Sequence, residues 1–279
     1  MTKQFINYNG NFFFTDEAIM TAGNRGLKYA DGLFESMRFS KGKLKFADFH
    51  SNRLQKGMKA LRLEGYSQLD SYFLQEKAEE LCRRNKFPQN ARLRLTVFRD
   101  GGGLYTPTEN KYAYVLEATP LTCSNYELNV KGLIMDVFED IPKAINILSN
   151  YKTCNALLYV MAGIFKEQRK LDEAFILNQN GFLCESVSAN VFVVYQKKLY
   201  TPALSEGCIA GVMRQVIMDI AKSNNIEMIE AQINPALLNE ADEVFLTNAS
   251  KGIQWVMGIN RKRYFNEMSR FLIEKLNQL

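Results

Sequence analysis

What most confines this chain is how briefly it stays apolar. The longest uninterrupted apolar run, Ala156–Phe165, is ten residues, about half of the roughly 20 that a membrane helix needs. With 279 residues, 47% of them hydrophobic and 23% charged, the chain suits a globular protein of one large or two ordinary domains. Asn7, Asn9 and Asn11 interrupt the N-terminus, so no signal-peptide core is visible and a cytoplasmic location is expected. The 35 Lys+Arg against 30 Asp+Glu leave +5. That excess is spread along the chain, apart from short groups such as Lys41, Lys43 and Lys45. It allows an anionic ligand but is a weak argument for nucleic acid, and neither nucleic acid nor membrane is expected as a partner.

Turn residues punctuate the chain. Phe5–Tyr8 and Phe12–Phe14 flank Asn9-Gly10, a strong hairpin signal, and Leu33–Phe39 and Lys43–Phe46 flank Lys41-Gly42. Asp48 can cap a following helix that carries Arg53 near its start and Leu54, Met58 and Leu61 on one face. A second helix covers Ser71 to Arg84, then strands Ala91–Phe98 and Tyr112–Ala118 follow, joined through Arg99-Asp100-Gly101-Gly102-Gly103. Further strands are expected at Leu128–Val137, Glu173–Leu177, Val191–Tyr195, Lys198–Thr201, Ile226–Glu230 and Glu243–Leu246. Helices are expected at Val212–Ala221 and Phe265–Leu276. This is an α+β pattern in two domains, 1–120 and 121–279, joined by a loop at about 119–127. A cleft between domains is then the expected ligand site.

The chemistry narrows by exclusion. The five cysteines are odd in number and widely spaced, without CxxC, so reduced thiols are expected. The single histidine, His50, removes most zinc sites and leaves histidine acid–base chemistry resting on one residue. No GxSxG, GxxxxGK or strand-borne GxGxxG occurs.

Four local features remain. Glu206–Arg214 runs a glycine-bearing loop into the Val212 helix, where free N–H groups from Gly211 to Met213 could seat a phosphate. Arg53 offers a fork of donors beside an apolar helix face. Lys152 stands among uncharged neighbours, as an imine-forming lysine would. Glu185 interrupts an apolar and small-residue passage, where a protonated ring nitrogen would satisfy it. Each has an ordinary alternative: a glycine turn, a surface arginine, a solvated lysine, an internal salt bridge.

Taken together and in this order, Asp31-Gly32-Leu33-Phe34-Glu35, His50-x-x-Arg53-Leu54, Lys152-x-x-Asn155, Glu185-x-x-Ser188-Ala189-Asn190, Gly211-Val212-Met213-Arg214 and Phe245-Leu246-Thr247-Asn248 resemble the fold-type IV pyridoxal-phosphate enzymes, the class-IV aminotransferases. The resemblance implies a smaller N-terminal α/β sandwich, a larger barrel-like C-terminal domain and a homodimer. It implies pyridoxal 5'-phosphate as cofactor and no metal. Lys152 would be its covalent anchor and proton shuttle, and Glu185 the partner of its ring nitrogen. Arg53, Ser188, Val212, Met213, Asn248 and Ala249 would lie around the cofactor, with Phe34 and Tyr105 toward the substrate. Ala249 stands where a threonine hydroxyl would be expected on the phosphate, with Asn248 or Ser250 as substitutes.

The same resemblance leaves two reactions. One is transamination between an amino acid and a 2-oxo acid; the other is lysis of aminodeoxychorismate to p-aminobenzoate and pyruvate. Lys152-Thr153-Cys154-Asn155 lacks the glycine pair of branched-chain enzymes, and Phe34 replaces the tyrosine of D-amino-acid enzymes. Gly211–Gln215 and Thr247-Asn248-Ala249 look more like the lyases. Against that, Leu104 stands where the lyases carry a carboxylate-reading arginine, leaving Arg99, Arg38 and Lys28 as substitutes. Transamination is the reading taken, the lyase its alternative. A non-catalytic phosphate-ligand-binding protein of the same fold is the more distant one.

Overall fold

Asn9 and Gly10 both take positive φ, 49° and 88°, the backbone of a two-residue hairpin turn. They join β1 (Phe5–Tyr8) to β2 (Asn11–Phe14). The computed structural model describes residues 3–87 and 89–279 and forms two units. One runs to Ser124 and takes in Tyr151–Asn155; the other comprises Asn125–Asn150 and Ala156–Leu279. The residues around Lys152 therefore pack with the first unit, although the chain on both sides of them belongs to the second.

In the first unit α1 (Arg25–Tyr29) precedes β3 (Gly32–Ser40), which turns through Lys41-Gly42 into β4 (Lys43–Leu44). Then come α2 (Ala47–Ala60), α3 (Ser71–Arg84), β5 (Asn90–Arg99) and β6 (Tyr112–Pro120). The helix expected to be capped by Asp48 starts earlier, at Ala47. Phe46, with φ 57°, is its N-cap; Asp48 lies in the first turn and Arg53 in mid-helix. The six strands form one antiparallel sheet in the order β2-β1-β6-β5-β3-β4. Period-two alternation sends Leu33, Met37, Phe39, Leu93, Leu95 and Val97 to one face, where they pack with Leu54, Met58, Leu74 and Leu81 of the two helices. Phe34, Ser36, Arg94 and Thr96 take the other face.

The second unit contains β7 (Leu133–Lys143), α4 (Leu157–Gln168), β8 (Glu173–Asn178), β9 (Leu183–Ser186), β10 (Asn190–Tyr195) and β11 (Lys198–Pro202). It continues with α5 (Val212–Ser223), β12 (Met228–Ala231), α6 (Leu237–Glu240), β13 (Glu243–Asn248), β14 (Gly252–Ile259), β15 (Lys262–Arg263) and α7 (Glu267–Leu276). Its mixed sheet runs β12-β11-β10-β13-β14-β7-β8-β9, with β15 on β14. Because β9 also lies against β10 and β11, the sheet curls into a half-barrel. The strand expected from Leu128 begins at Leu133: Asn129 instead brackets Trp255, accepting from its main-chain and indole N–H groups. Among the described residues no helix is long and apolar enough to cross a membrane.

Gly32 shows how closely this scaffold is built. A methyl group there would run into the carbonyl oxygen of Val97 and the backbone of Phe98. Gly32→Ala is expected to destabilise the protein by about 1–3 kcal/mol, read as a lowered urea midpoint; an unchanged midpoint would show that β3 and β5 can part without cost.

Candidate active site

The lysine singled out in the sequence is held by main chain. Beyond Phe34, β3 has an open edge, because β4 pairs only with Phe39 and Ser40. The Tyr151–Asn155 segment fills it: Phe34 N donates to Lys152 O at 2.9 Å and Cys154 N to Gly32 O at 2.9 Å. Two residues earlier Asn150 is fastened within the second unit, its Nδ2 donating to Leu204 O and Cys208 O and its own carbonyl accepting from Ala210 N. Lys152 is half-buried, with Nζ 4.4 Å from the centre of the Phe34 ring. On the same ring, 3.8 Å from its centre, lies the guanidinium carbon of Arg94. Two cations on one aromatic ring gain from its quadrupole.

Under the sheet lies a second charged group. Glu35 occupies a core position on β3 and is 1% exposed. Arg53 donates Nε to its Oε1 at 2.7 Å and Nη2 to its Oε2, and His50 Nδ1 donates to Oε2 at 2.6 Å. Burial opposes ionisation of Glu35 most, yet the Arg53 charge and the bonds from His50 and Arg53 outweigh it, bringing the carboxyl from 4.5 down to about 2. Arg53 is therefore no surface arginine: α2 turns it inward onto a buried anion. His50 is 0% exposed and packs beneath the sheet against Glu35.

The three substitutes considered for reading a substrate carboxylate lie elsewhere. Arg99 spends its guanidinium on Asp31, Asn110 and the Leu61 carbonyl, and Arg38 donates to Cys123 O. Lys28 is exposed in the last turn of α1. Arg25 ties down the 102–104 carbonyls, while Leu104 and Tyr105 point outward, 76% and 90% exposed. Arg94 was missed. Its only signal is strand alternation, since Leu93, Leu95 and Val97 face the core and Arg92 and Arg94 face away.

In the second unit Glu185 is 2% exposed. Its Oε1 accepts from Lys143 Nζ and from Tyr159 OH at 2.6 Å, its Oε2 from Ile209 N at 2.8 Å. Burial, with Glu185 alongside, pushes the Tyr159 hydroxyl well above its ordinary value. Neither Lys143 nor Tyr159 stood out in the sequence; Tyr159 was hidden inside the apolar run. α5 starts at Gly211 without a side-chain cap, leaving the first N–H groups, at Val212 and Met213, without that partner. Asn190 Nδ2 donates to Ile209 O just ahead of this start. Opposite Asn190 on β13 stands Thr247, whose Oγ1 is buried with no hydrogen-bond partner among the described residues. Asn248 Oδ1 accepts from the Ser250 and Lys251 amides, the Ala249 carbonyl accepts from Tyr126 OH, and Ser188 is exposed with its N–H on Glu173.

Known proteins resemble this arrangement along nearly the whole chain. A family model described as amino-transferase class IV matches residues 32–259. An aminodeoxychorismate lyase of Bacillus subtilis is 26% identical, over 88% of this chain and 83% of its own. Among solved structures, a branched-chain aminotransferase of Thermoproteus uzoniensis with norvaline superposes with a TM-score of 0.86 at 24% identity, covering 98% of this chain and 93% of that one. The branched-chain amino acid aminotransferase of Escherichia coli gives 0.88 at 22% identity, covering 100% and 94%. The fold is that of the fold-type IV pyridoxal-phosphate enzymes.

The Glu35 cluster has a pH signature. A carboxyl lowered from 4.5 to about 2 contributes stability that is complete above 4.5 and is lost as the pH falls toward 2. Glu35→Gln, which leaves Arg53 without its anion, is expected to cost about 3–5 kcal/mol near neutrality. The gap to wild type should close over that acid window in urea unfolding. A gap that stays constant throughout would show that the charge of Glu35 contributes nothing.

Proposed function

This chain belongs to the amino-transferase class IV family, and from that membership we propose that it is a pyridoxal-phosphate-dependent aminotransferase exchanging an amino group between an amino acid and a 2-oxo acid. One observation carries the reading: Lys152 Nζ and the Arg94 guanidinium share the Phe34 ring, 4.4 and 3.8 Å from its centre. An amine able to exchange with a substrate amine stands beside a planar fork able to grip a carboxylate. Those are the two groups that every α-amino acid presents.

The side chains of the second unit fit the cofactor. Thr247 carries a buried hydroxyl with no partner among the described residues, and α5 starts with amides at Val212 and Met213 that no side chain of the Gly211 cap takes up; a phosphate takes donors of both kinds. Thr247 thus supplies the hydroxyl missing at Ala249 better than Asn248, whose oxygen caps its own turn. Glu185 accepts two donors at Oε1 and one at Oε2, so Oε2 has room for a ring N–H. Lys152 would anchor the group covalently, Arg53 would reach its phosphate from the orientation set by Glu35, and Ser188, Asn248 and Ala249 would border it. When bound, the cofactor supplies a ring that accepts the electrons of a substrate carbanion. Displaced from its anchorage by the substrate amine, Lys152 Nζ would be placed to carry the proton from the substrate Cα to the cofactor side as the amino group moves. Phe34, which carries both cations, would face the substrate in this reading, whereas Tyr105 points outward in the fold.

Aminodeoxychorismate lysis is the second reading, favoured by the Bacillus subtilis relative and by Thr247-Asn248-Ala249. The loop from Arg99 to Tyr105 weighs against it: its one arginine, Arg99, is committed to Asp31 and the Leu61 carbonyl, and Arg25, which holds the loop from α1, to Asp31 and the Leu104 carbonyl, so a second carboxylate meets Leu104 there. We extend the proposal to a homodimer. Leu157, Val160, Met161 and Ile164 recur on one face of α4, all between 41% and 77% exposed, and an apolar stripe of that kind marks an interaction surface.

Purified protein should be yellow and bleached by borohydride, and Lys152→Ala should lose the bleachable band; its persistence would remove Lys152 from the chemistry. Arg94→Ala should keep the band and raise KM for amino acid about 10- to 100-fold, the loss of a charge-assisted bond. In parallel assays, amino acid plus 2-oxo acid should turn over. Formation of p-aminobenzoate alone would transfer the assignment to the lyase.

A further inference from the structure

Lys143 is buried at the end of β7, and its position is unusual. The β7–β8 ladder breaks between Phe138 and Lys143. Four exposed residues, Glu139 to Pro142, bulge out of the ladder before Lys143 pairs with Asn178 at 7% exposure. Irregularities of this sort re-aim a side chain. Here the ammonium is aimed at Oε1 of Glu185 and lies 5.6 Å from the centre of the Tyr159 ring. A buried ion pair contributes little net stability compared with apolar residues of the same size, so its presence asks for another reason.

We infer that Lys143 is a positioning residue that governs how firmly Glu185 holds a proton on a ring nitrogen, turning Oε2 toward the ring and offsetting part of the carboxylate charge. This rests on the proposed cofactor role of Glu185. The other groups facing the pair are Tyr159 from α4, Cys184 from β9, and Cys208 and Glu206 from the turn before α5; Glu206 is bound by Asn178 and Gln232. Burial pushes Tyr159, Cys184 and Cys208 upward, Cys208 to about 12, so these three stay neutral near neutral pH. Lys143 is then the cation on Glu185. With it in place a protonated ring adds a second positive charge to one carboxylate. Without it, the carboxylate acts on the ring alone and the ring is the better protonated electron sink.

The test uses holoenzyme loaded with pyridoxal phosphate labelled with ¹⁵N in the ring, and follows the nitrogen shift with pH. Lys143→Met should raise the pH at which the ring proton is lost by about one unit, the smaller end of what one neighbouring charge does. Lys143→Gln, which keeps a donor without the charge, should do the same, and Lys143→Arg should stay with wild type. Should Lys143→Met fail to fold, the Gln and Arg variants decide by themselves. Equal shifts in both would make the effect one of packing and overturn the inference. Curves for Lys143→Met or Lys143→Gln that superpose on wild type, with Glu185→Gln displaced, would overturn it while leaving the role of Glu185 standing. A curve unmoved by Glu185→Gln would remove that role, and the inference with it.

Discussion

Two main-chain hydrogen bonds, Phe34 N to Lys152 O and Cys154 N to Gly32 O, decide what the first unit can do. A lysine side chain has four rotatable carbons and is held poorly by its own contacts; its backbone must be pinned if its amine is to act at one point. Here the pinning element is the open edge of β3, and the edge is open because β4 is only two residues long. The same edge sets Phe34 beneath the amine. Gly32 makes the edge usable, since any side chain there would push β3 off β5. Conformation, pairing and chemistry meet within five residues, Gly32 to Ser36.

Each unit also buries a carboxylate and holds it with a cation. In the first, Glu35 is gripped by Arg53 in a two-toothed contact with His50 behind it; in the second, Glu185 meets Lys143 end on with Tyr159 beside it. The difference in cation suits the difference in task. A guanidinium fork fixes direction, so the Glu35 group orients Arg53 and is itself orientable only as a block. An ammonium is a point charge with three donors; in the proposed role Lys143 holds Oε1 of Glu185 and offsets part of its charge, so that Oε2 is turned toward the ring. Burial makes both arrangements sensitive, because a charge deprived of its partner in a dry interior has no water to replace it.

Much of this was legible along the chain. The Asn9-Gly10 and Lys41-Gly42 hairpins follow from residues that tolerate positive φ, and the α5 start follows from Gly211 ahead of an amphipathic run. Lys152 and Glu185 stood out as charged residues in uncharged passages. What escaped was tertiary in origin. Arg94 is one of several arginines until β3 and β5 are paired in register, when it falls diagonally across from Phe34. Lys143 is an ordinary lysine after a proline until the ladder breaks and buries it. Thr247 reads as an ordinary strand residue until the ladder puts it opposite Asn190 with its hydroxyl buried; the resemblance expects a hydroxyl in the loop beyond it. Arg99, considered as a carboxylate reader, is a strut, since Asp31 and Asn110 lie within its reach only in the folded sheet.

The choice between transamination and lysis comes down to how this chain spends its arginines. A dicarboxylate needs two cationic readers, while an amino acid with an apolar side chain needs one. Arg25, Arg38 and Arg99 are tied to Asp31 or to main-chain carbonyls, and drawing any of them toward a substrate would leave those buried acceptors unpaired. Arg94 carries a lighter commitment: the Phe34 face attracts its guanidinium while leaving the in-plane N–H groups to point at a ligand. One carboxylate beside one amine is what the proposed transamination asks of the first unit, and Lys152 and Arg94 on the Phe34 ring suit that demand.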